Sequence, residues 1–186
     1  MKLKLLVASL VASSALMAGV YNVDTYHSGV SFKVKHLMVS NVKGKFGKFN
    51  GSFELDDKTN ALKALHGVVE VASIDTGIEK RDNHLRSEEI FNAAKYPQIT
   101  FKLTKLVGDK AHGEFTMHGV TKNVVFDYEF GGVIENNGGK KAGLTVTGTI
   151  NRKDYGVSWN KILESGGVAV GEEVKIEVEL EGDLQK

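Results

Sequence analysis

Two short stretches of this chain gather side chains that could do chemistry: Arg81-Asp82-Asn83-His84, and Arg152 with Asp154 and Tyr155. A guanidinium, a carboxylate and an imidazole so close together can hold a polar head group through charge-assisted hydrogen bonds. They can equally clamp a helix or loop to the body of the fold, because buried charges need partners. The residues leave both readings standing. Metal chemistry has less behind it. His112 and His118 are six apart, on the outward face of one strand if it runs that far, but no cysteine or His-x-His pair accompanies them. Zinc needs three or four converging ligands. These histidines read as exposed or turn-capping, and no metal is expected. Gly156-Val157-Ser158-Trp159-Asn160 departs from the G-x-S-x-G elbow at its last position. Adjacent Glu88 and Glu89 suit a helix start, where carboxylates favour the dipole. Nothing requires an enzyme, so the expectation is binding without turnover. The absence of cysteine excludes disulfides, thiolate sites, cysteine nucleophiles and a lipidated N-terminal cysteine.

The elements that must position these stretches are mostly strands. In the last run Val174, Ile176, Val178 and Leu180 alternate with Lys175, Glu177, Glu179 and Glu181, the period of a strand wet on one face and buried on the other. Seven earlier runs behave alike: Val30–Val34, Val42–Leu55, Leu65–Val71, Ile99–Leu103, Ala111–Met117, Val124–Phe130 and Ala142–Ile150. The second loses its alternation near Gly47 to Asn50, which suggests a bulge or bend. Between the third and fourth runs the period changes. Thr76 followed by Glu79 reads as a capping box, and Ser87 as a second N-cap, so residues 76–94 are expected to form two short helices jointed near Arg86. Asn151 to Gly171 is a long irregular segment, a length usually functional or disordered.

Eight half-wet strands without a repeat suggest a closed antiparallel barrel, a size whose interior is filled by side chains or holds one small ligand. Among the inward positions Gly67, Ala111, Gly113, Ala142 and Gly148 are small, whereas Phe32, Phe46, Phe53, Phe101, Phe115, Phe126 and Tyr128 are bulky. Such a set can interlock as a solid core or line a tunnel with aromatic walls. Energetics permit the tunnel. A lipid of about twenty carbons offers on the order of 16 kcal/mol gross at roughly 0.8 kcal/mol per methylene. Association and chain ordering take back about 4 to 15 kcal/mol.

Lys2 and Lys4, an apolar run from Leu5 to Leu16 and small residues around Ala15, Ala18 and Gly19 read as a signal peptide over residues 1–18. The run is too short to span a bilayer as a helix. Residues 19–186 then read as one domain, since no linker or low-complexity tract divides them. Removing the two lysines takes the formal charge from +1 to −1, with both signs interspersed. There is no basic stripe for nucleic acid. The expectation is an exported protein without a membrane anchor.

The ordered residues also resemble a known family. Asp24, His27-Ser28, Phe32, Val34 and His36 open the match, followed by Val42, Gly44, Phe46, Gly51, Phe53 and Ser73-Ile74-Asp75-Thr76-Gly77. Arg81-Asp82, His84-Leu85, Ser87 and Phe91 form the most specific block, closed by Tyr96-Pro97, Ile99 and Phe101. Gly113, Thr116, His118-Gly119-Val120-Thr121-Lys122, Arg152, Asp154 and Tyr155-Gly156 complete it. Together they resemble the YceI-like family of exported polyisoprenoid-binding proteins with a lipocalin-like barrel. Ile90 stands where that family commonly has an aromatic, and Tyr155 where it has Phe.

The resemblance implies a periplasmic carrier whose hydrophobic tunnel holds an isoprenoid or other long-chain amphiphile, with no cofactor besides that lipid. The tail would lie along Phe32, Val34, Phe46, Phe53, Val69, Phe101, Phe115, Met117, Phe126, Tyr128, Leu144, Val146 and Ile176. Arg81, His84, Arg152 and Asp154 would meet its polar end. Family members are linked with dimers and isoprenoid quinones, so an alternative is a redox accessory that presents a bound quinone to a membrane cytochrome.

Overall fold

The structure is a computed structural model describing residues 18–136, 138–164 and 166–186. The signal-peptide expectation concerns residues that, apart from Ala18, lie outside this range.

Among the described residues eleven strands form one sheet: β1 (Ala18–Val23), β2 (Gly29–His36), β3 (Ser40–Phe46), β4 (Phe49–Asp56), β5 (Leu62–Glu70), β6 (Ile74–Asp75), β7 (Gln98–Val107), β8 (Lys110–Met117), β9 (Val120–Asn136), β10 (Gly139–Asn151) and β11 (Val170–Leu184). The order β1-β4-β5-β7-β8-β9-β10-β11 closes on itself through β1 against β11, with Tyr21 opposite Leu184 and Val23 opposite Gly182. This is a closed eight-stranded antiparallel barrel. Farther along the same edge of β11, β2 takes over, with Ile176 opposite Phe32, and β3 and β6 extend from it. In effect β1 and β2 are one broken stave, and β3 and β4 another, broken at the Gly47 step expected from sequence.

Alternation does not reveal β1. It is six residues long, and its buried positions are Gly19 and Tyr21, too few apolar residues to show a period. The helical expectation also needs correcting. Within residues 76–94 only α1 (Glu79–Arg86) is helical, and hydrogen-bonded turns from Ser87 to Tyr96 replace a second helix. Thr76 makes no capping box either, because Ile78 is the N-cap and no side chain caps the helix. The Asp82 carboxylate instead turns back to accept from the Thr76 amide and hydroxyl.

Two of the small inward residues, Gly113 and Gly148, do not widen the interior. A methyl on Gly148 would collide with the Phe126 ring, and one on Gly113 would lie 2.5 Å from Phe101. These glycines are seats for aromatic rings on neighbouring strands, a pairing that supports otherwise weak strand glycines.

Candidate functional site

The barrel is hollow over part of its length. A cavity of about 340 Å³ lies inside it, bordered by Phe32, Val34, Phe46, Val69, Phe101, Phe115, Met117, Phe126, Val146 and Ile176 of the expected wall. The rings form contiguous panels. Phe101 and Phe126 stack at 5.6 Å between centroids, Phe115 meets Phe126 at 6.1 Å and Tyr155 at 5.5 Å, and Phe32 leans on Phe46 at 5.7 Å. Such offset and edge contacts are favoured by the ring quadrupole and stiffen the wall.

Phe53, Tyr128 and Leu144 stand apart from it. Phe53 is 1% exposed and stacks on Tyr21 at 5.2 Å, and Leu144 is buried opposite Phe130 and Leu180. The Tyr128 hydroxyl is buried with no hydrogen-bond partner among the described residues. Burial raises its pKa, since the phenolate would lose its water.

The polar groups reach the cavity from α1 and the segment after β10. Arg81 donates through Nε to Thr76 Oγ1 at 2.7 Å and through one terminal nitrogen to Thr76 O at 2.8 Å. Its other N–H groups have no protein partner among the described residues. His84 Nε2 contacts Glu89 Oε2 at 2.6 Å, and its imidazole meets the Trp159 indole edge-on at 5.0 Å. Asp82, 4% exposed, belongs to the Thr76 clamp.

Arg152 also borders the cavity, but its guanidinium is spoken for. It donates to Gly171 O at 2.9 Å, Val157 O at 2.6 Å and Val170 O at 3.2 Å. Burial lowers its pKa and nearby Glu172 works against that; an arginine keeps its charge regardless. Three carbonyls therefore satisfy a buried cation that pins the 157–171 loop to the barrel. Asn160 completes the clamp, receiving the Val170 amide at 3.0 Å and donating to its carbonyl at 2.7 Å. Asp154 lies outside the cavity wall. It is exposed, 3.8 Å from Lys122, and the reason is its position on the outer side of the 3-10 turn Arg152–Tyr155.

His118 sits in the turn between β8 and β9 with φ 52° and pairs Nδ1 with Tyr155 O at 3.2 Å. Residues not anticipated from sequence also border the cavity: Leu85 on α1, Ile90 and Phe91 in the turns after it, and Val157, Trp159 and Ala169 on the loop. Val157 and Trp159 carry a local period-two signal, but two residues are too few to separate from an irregular loop.

A family model described as "YceI-like domain" matches residues 21–182. The chain is 42% identical over 169 residues to a UPF0312 protein of Staphylococcus aureus (strain N315), covering 89% of this chain and 98% of that one. The solved YCEI protein of Campylobacter jejuni superposes with TM-score 0.69 at 32% identity, covering 82% of this chain and 90% of that one. A polyisoprenoid binding domain from Saccharophagus degradans superposes with TM-score 0.64 at 16% identity, covering 89% and 98%. That last likeness is one of fold.

Proposed function

Since this chain belongs to the YceI-like family, we propose that it is a periplasmic carrier of a polyisoprenoid or similar long-chain amphiphile. One observation carries the reading: an apolar cavity of about 340 Å³ runs inside the barrel where a filled core would otherwise sit. That volume falls within the range of small-molecule pockets, roughly 300 to 1,000 Å³. The structural neighbour named for polyisoprenoid binding supports the ligand class. The tail lies against the panels of Phe32, Phe46, Phe101, Phe115 and Phe126. The polar end meets the unused N–H groups of Arg81 and the His84 imidazole; Arg152 holds the loop that covers it. No step of bond making or breaking belongs to this reading.

The chain has one tryptophan, Trp159, and it borders the cavity. Titration with a detergent-free isoprenoid alcohol is expected to shift or quench its fluorescence saturably, and native mass spectrometry of protein purified without detergent is expected to show a co-purifying lipid. Absence of both a bound lipid and a saturable response would overturn the carrier reading. Ultraviolet absorbance of the extracted ligand that responds to a reductant would identify it as a quinone.

A further inference from the structure

The turn joining β2 to β3 contains Leu37, Met38 and Val39, and its backbone asks for other residues. Leu37 has φ 50° and Met38 φ 62°, the left-handed region that hairpin turns normally fill with Asn and Gly. Bulky apolar side chains there cost conformational energy and gain only partial burial. Met38 is 57% exposed and Val39 82%. The adjoining loop adds Ile162, 81% exposed. Loop and turn are joined, since the Leu37 amide donates to Ala169 O at 2.8 Å and Ile162 bridges Val168.

Behind this tip the outer face of the hairpin is basic. Lys33 stands directly opposite Lys43 on β3 and Lys175 on β11, so three like charges form one row across three strands. Like charges in register are destabilising. Lys35 lies toward the tip, and Lys45 continues the face away from it, 3.9 Å from Asp75. Among the described residues no carboxylate lies within ion-pair distance of Lys33, Lys35, Lys43 or Lys175. On β11 the outer face is acidic on both sides of Lys175, with Glu173 toward the tip and Glu177 and Glu179 away from it, which confines the basic strip to the hairpin and this one lysine.

An exposed apolar tip ahead of unneutralised lysines matches the two layers of an anionic membrane surface. We propose that the β2–β3 hairpin docks on a bilayer containing anionic phospholipid: Leu37, Met38, Val39 and Ile162 enter the headgroup boundary, and the lysines contact phosphates. Interfacial binding combines buried apolar area with such attraction. The lysine stems can lie along the surface while their ammonium groups reach outward. The hairpin also borders the cavity, through Val34, His36 and Val42. Resting on the carrier reading, this places the hollow end of the barrel against the bilayer that supplies or receives the lipid.

The test is co-sedimentation with vesicles of phosphatidylcholine alone and of phosphatidylcholine mixed with phosphatidylglycerol, at low and high salt. Binding is expected only to the mixed vesicles and is expected to weaken with salt. Met38→Asp combined with Val39→Asp, and separately Lys33→Glu combined with Lys43→Glu, are each expected to lower it by about tenfold or more. Aspartate tolerates the left-handed conformation. Circular dichroism confirms that the variants fold. The vesicle-free Trp159 titration should be unchanged in them, so loss of docking is distinguishable from loss of lipid uptake. No binding to mixed vesicles, or binding indifferent to these substitutions, would overturn the proposal. So would a concentration-dependent dimer that Met38→Asp disperses, which would make the hairpin an interface between copies.

Discussion

Where β1 meets β11, Phe53 stacks flat on Tyr21, a methyl on Gly182 would lie 2.7 Å from the Phe53 ring, and Leu55, Ala142 and Leu144 are buried as well. Where β2 meets β11, the inward residues are just as apolar, yet Phe32 and Phe46 face a void. The two regions differ in what finishes them. The solid end closes by strand pairing and is rimmed by a charge cluster, with Lys141 Nζ at 2.9 Å from both Glu181 and Asp183 and 3.3 Å from Asp24. The hollow end is covered by α1 and a loop held by Arg152. An inward aromatic contributes to cohesion in one place and to a container wall in the other, and only the neighbours decide which.

The sharpest test of this difference is a matched truncation. Phe53→Ala leaves a hole in a packed region and is expected to cost about 3–5 kcal/mol. Phe32→Ala, half-buried beside an existing void, is expected to cost roughly 1–2 kcal/mol while altering the Trp159 titration. Urea denaturation compares them, and equal costs would erase the distinction. Arg152→Ala tests the cover. It leaves three carbonyls without their donor, each worth roughly 1–3 kcal/mol when left unsatisfied, so a loss of about 3 kcal/mol is expected. Hydrogen exchange in residues 157–171 should accelerate before exchange in β10 does.

Glycines give a smaller contrast. Gly148→Ala must push Phe126 from its seat and is expected to cost roughly 1–3 kcal/mol. At Gly67 the nearest atom to a new methyl is Asn50 O at 4.0 Å, so Gly67→Ala is expected to be neutral or to stabilise by up to about 1 kcal/mol. Thermal melts should order the two variants that way.

The charge cluster at the solid end gives the smallest effect. Hydrogen bonds from His27 and the Tyr26 amide hold Asp24 down from 3.8 to about 2. Its contribution is therefore complete above the unfolded value and lost as pH falls toward 2. His27 is raised from 6.5 by its hydrogen bond to Asp24. It contributes below 6.5, and that contribution fades as pH rises through its folded value. Denaturation midpoints measured across pH should show both slopes in the wild type and neither in Asp24→Asn.

Much of this architecture was legible in the residues because strand alternation is local. All eight runs correspond to staves, and the lapse at Gly47 to Asn50 is the β3–β4 break. The helical block was harder to read, because Ser87 and Glu88 resemble a helix start although the chain turns there. Hollowness was not legible from alternation, since Phe53 and Phe46 occupy equivalent alternating positions and differ in cross-strand partners; the family resemblance alone implied it. Arg152 and Asp154 sit two residues apart in one motif, but a 3-10 turn sends the first inward and the second to water.

The pairing of Tyr21–Val23 with Gly182–Leu184 has a temporal side. This seam joins segments some 160 residues apart, and loop-closure entropy makes such distant pairings slow to form. Until it forms, every greasy inner surface is open to whatever else is nearby. The β1–β11 seam has the longest sequence separation of any pairing in the barrel and is expected to close late in folding, an interval in which a chaperone has its best access to the inner wall.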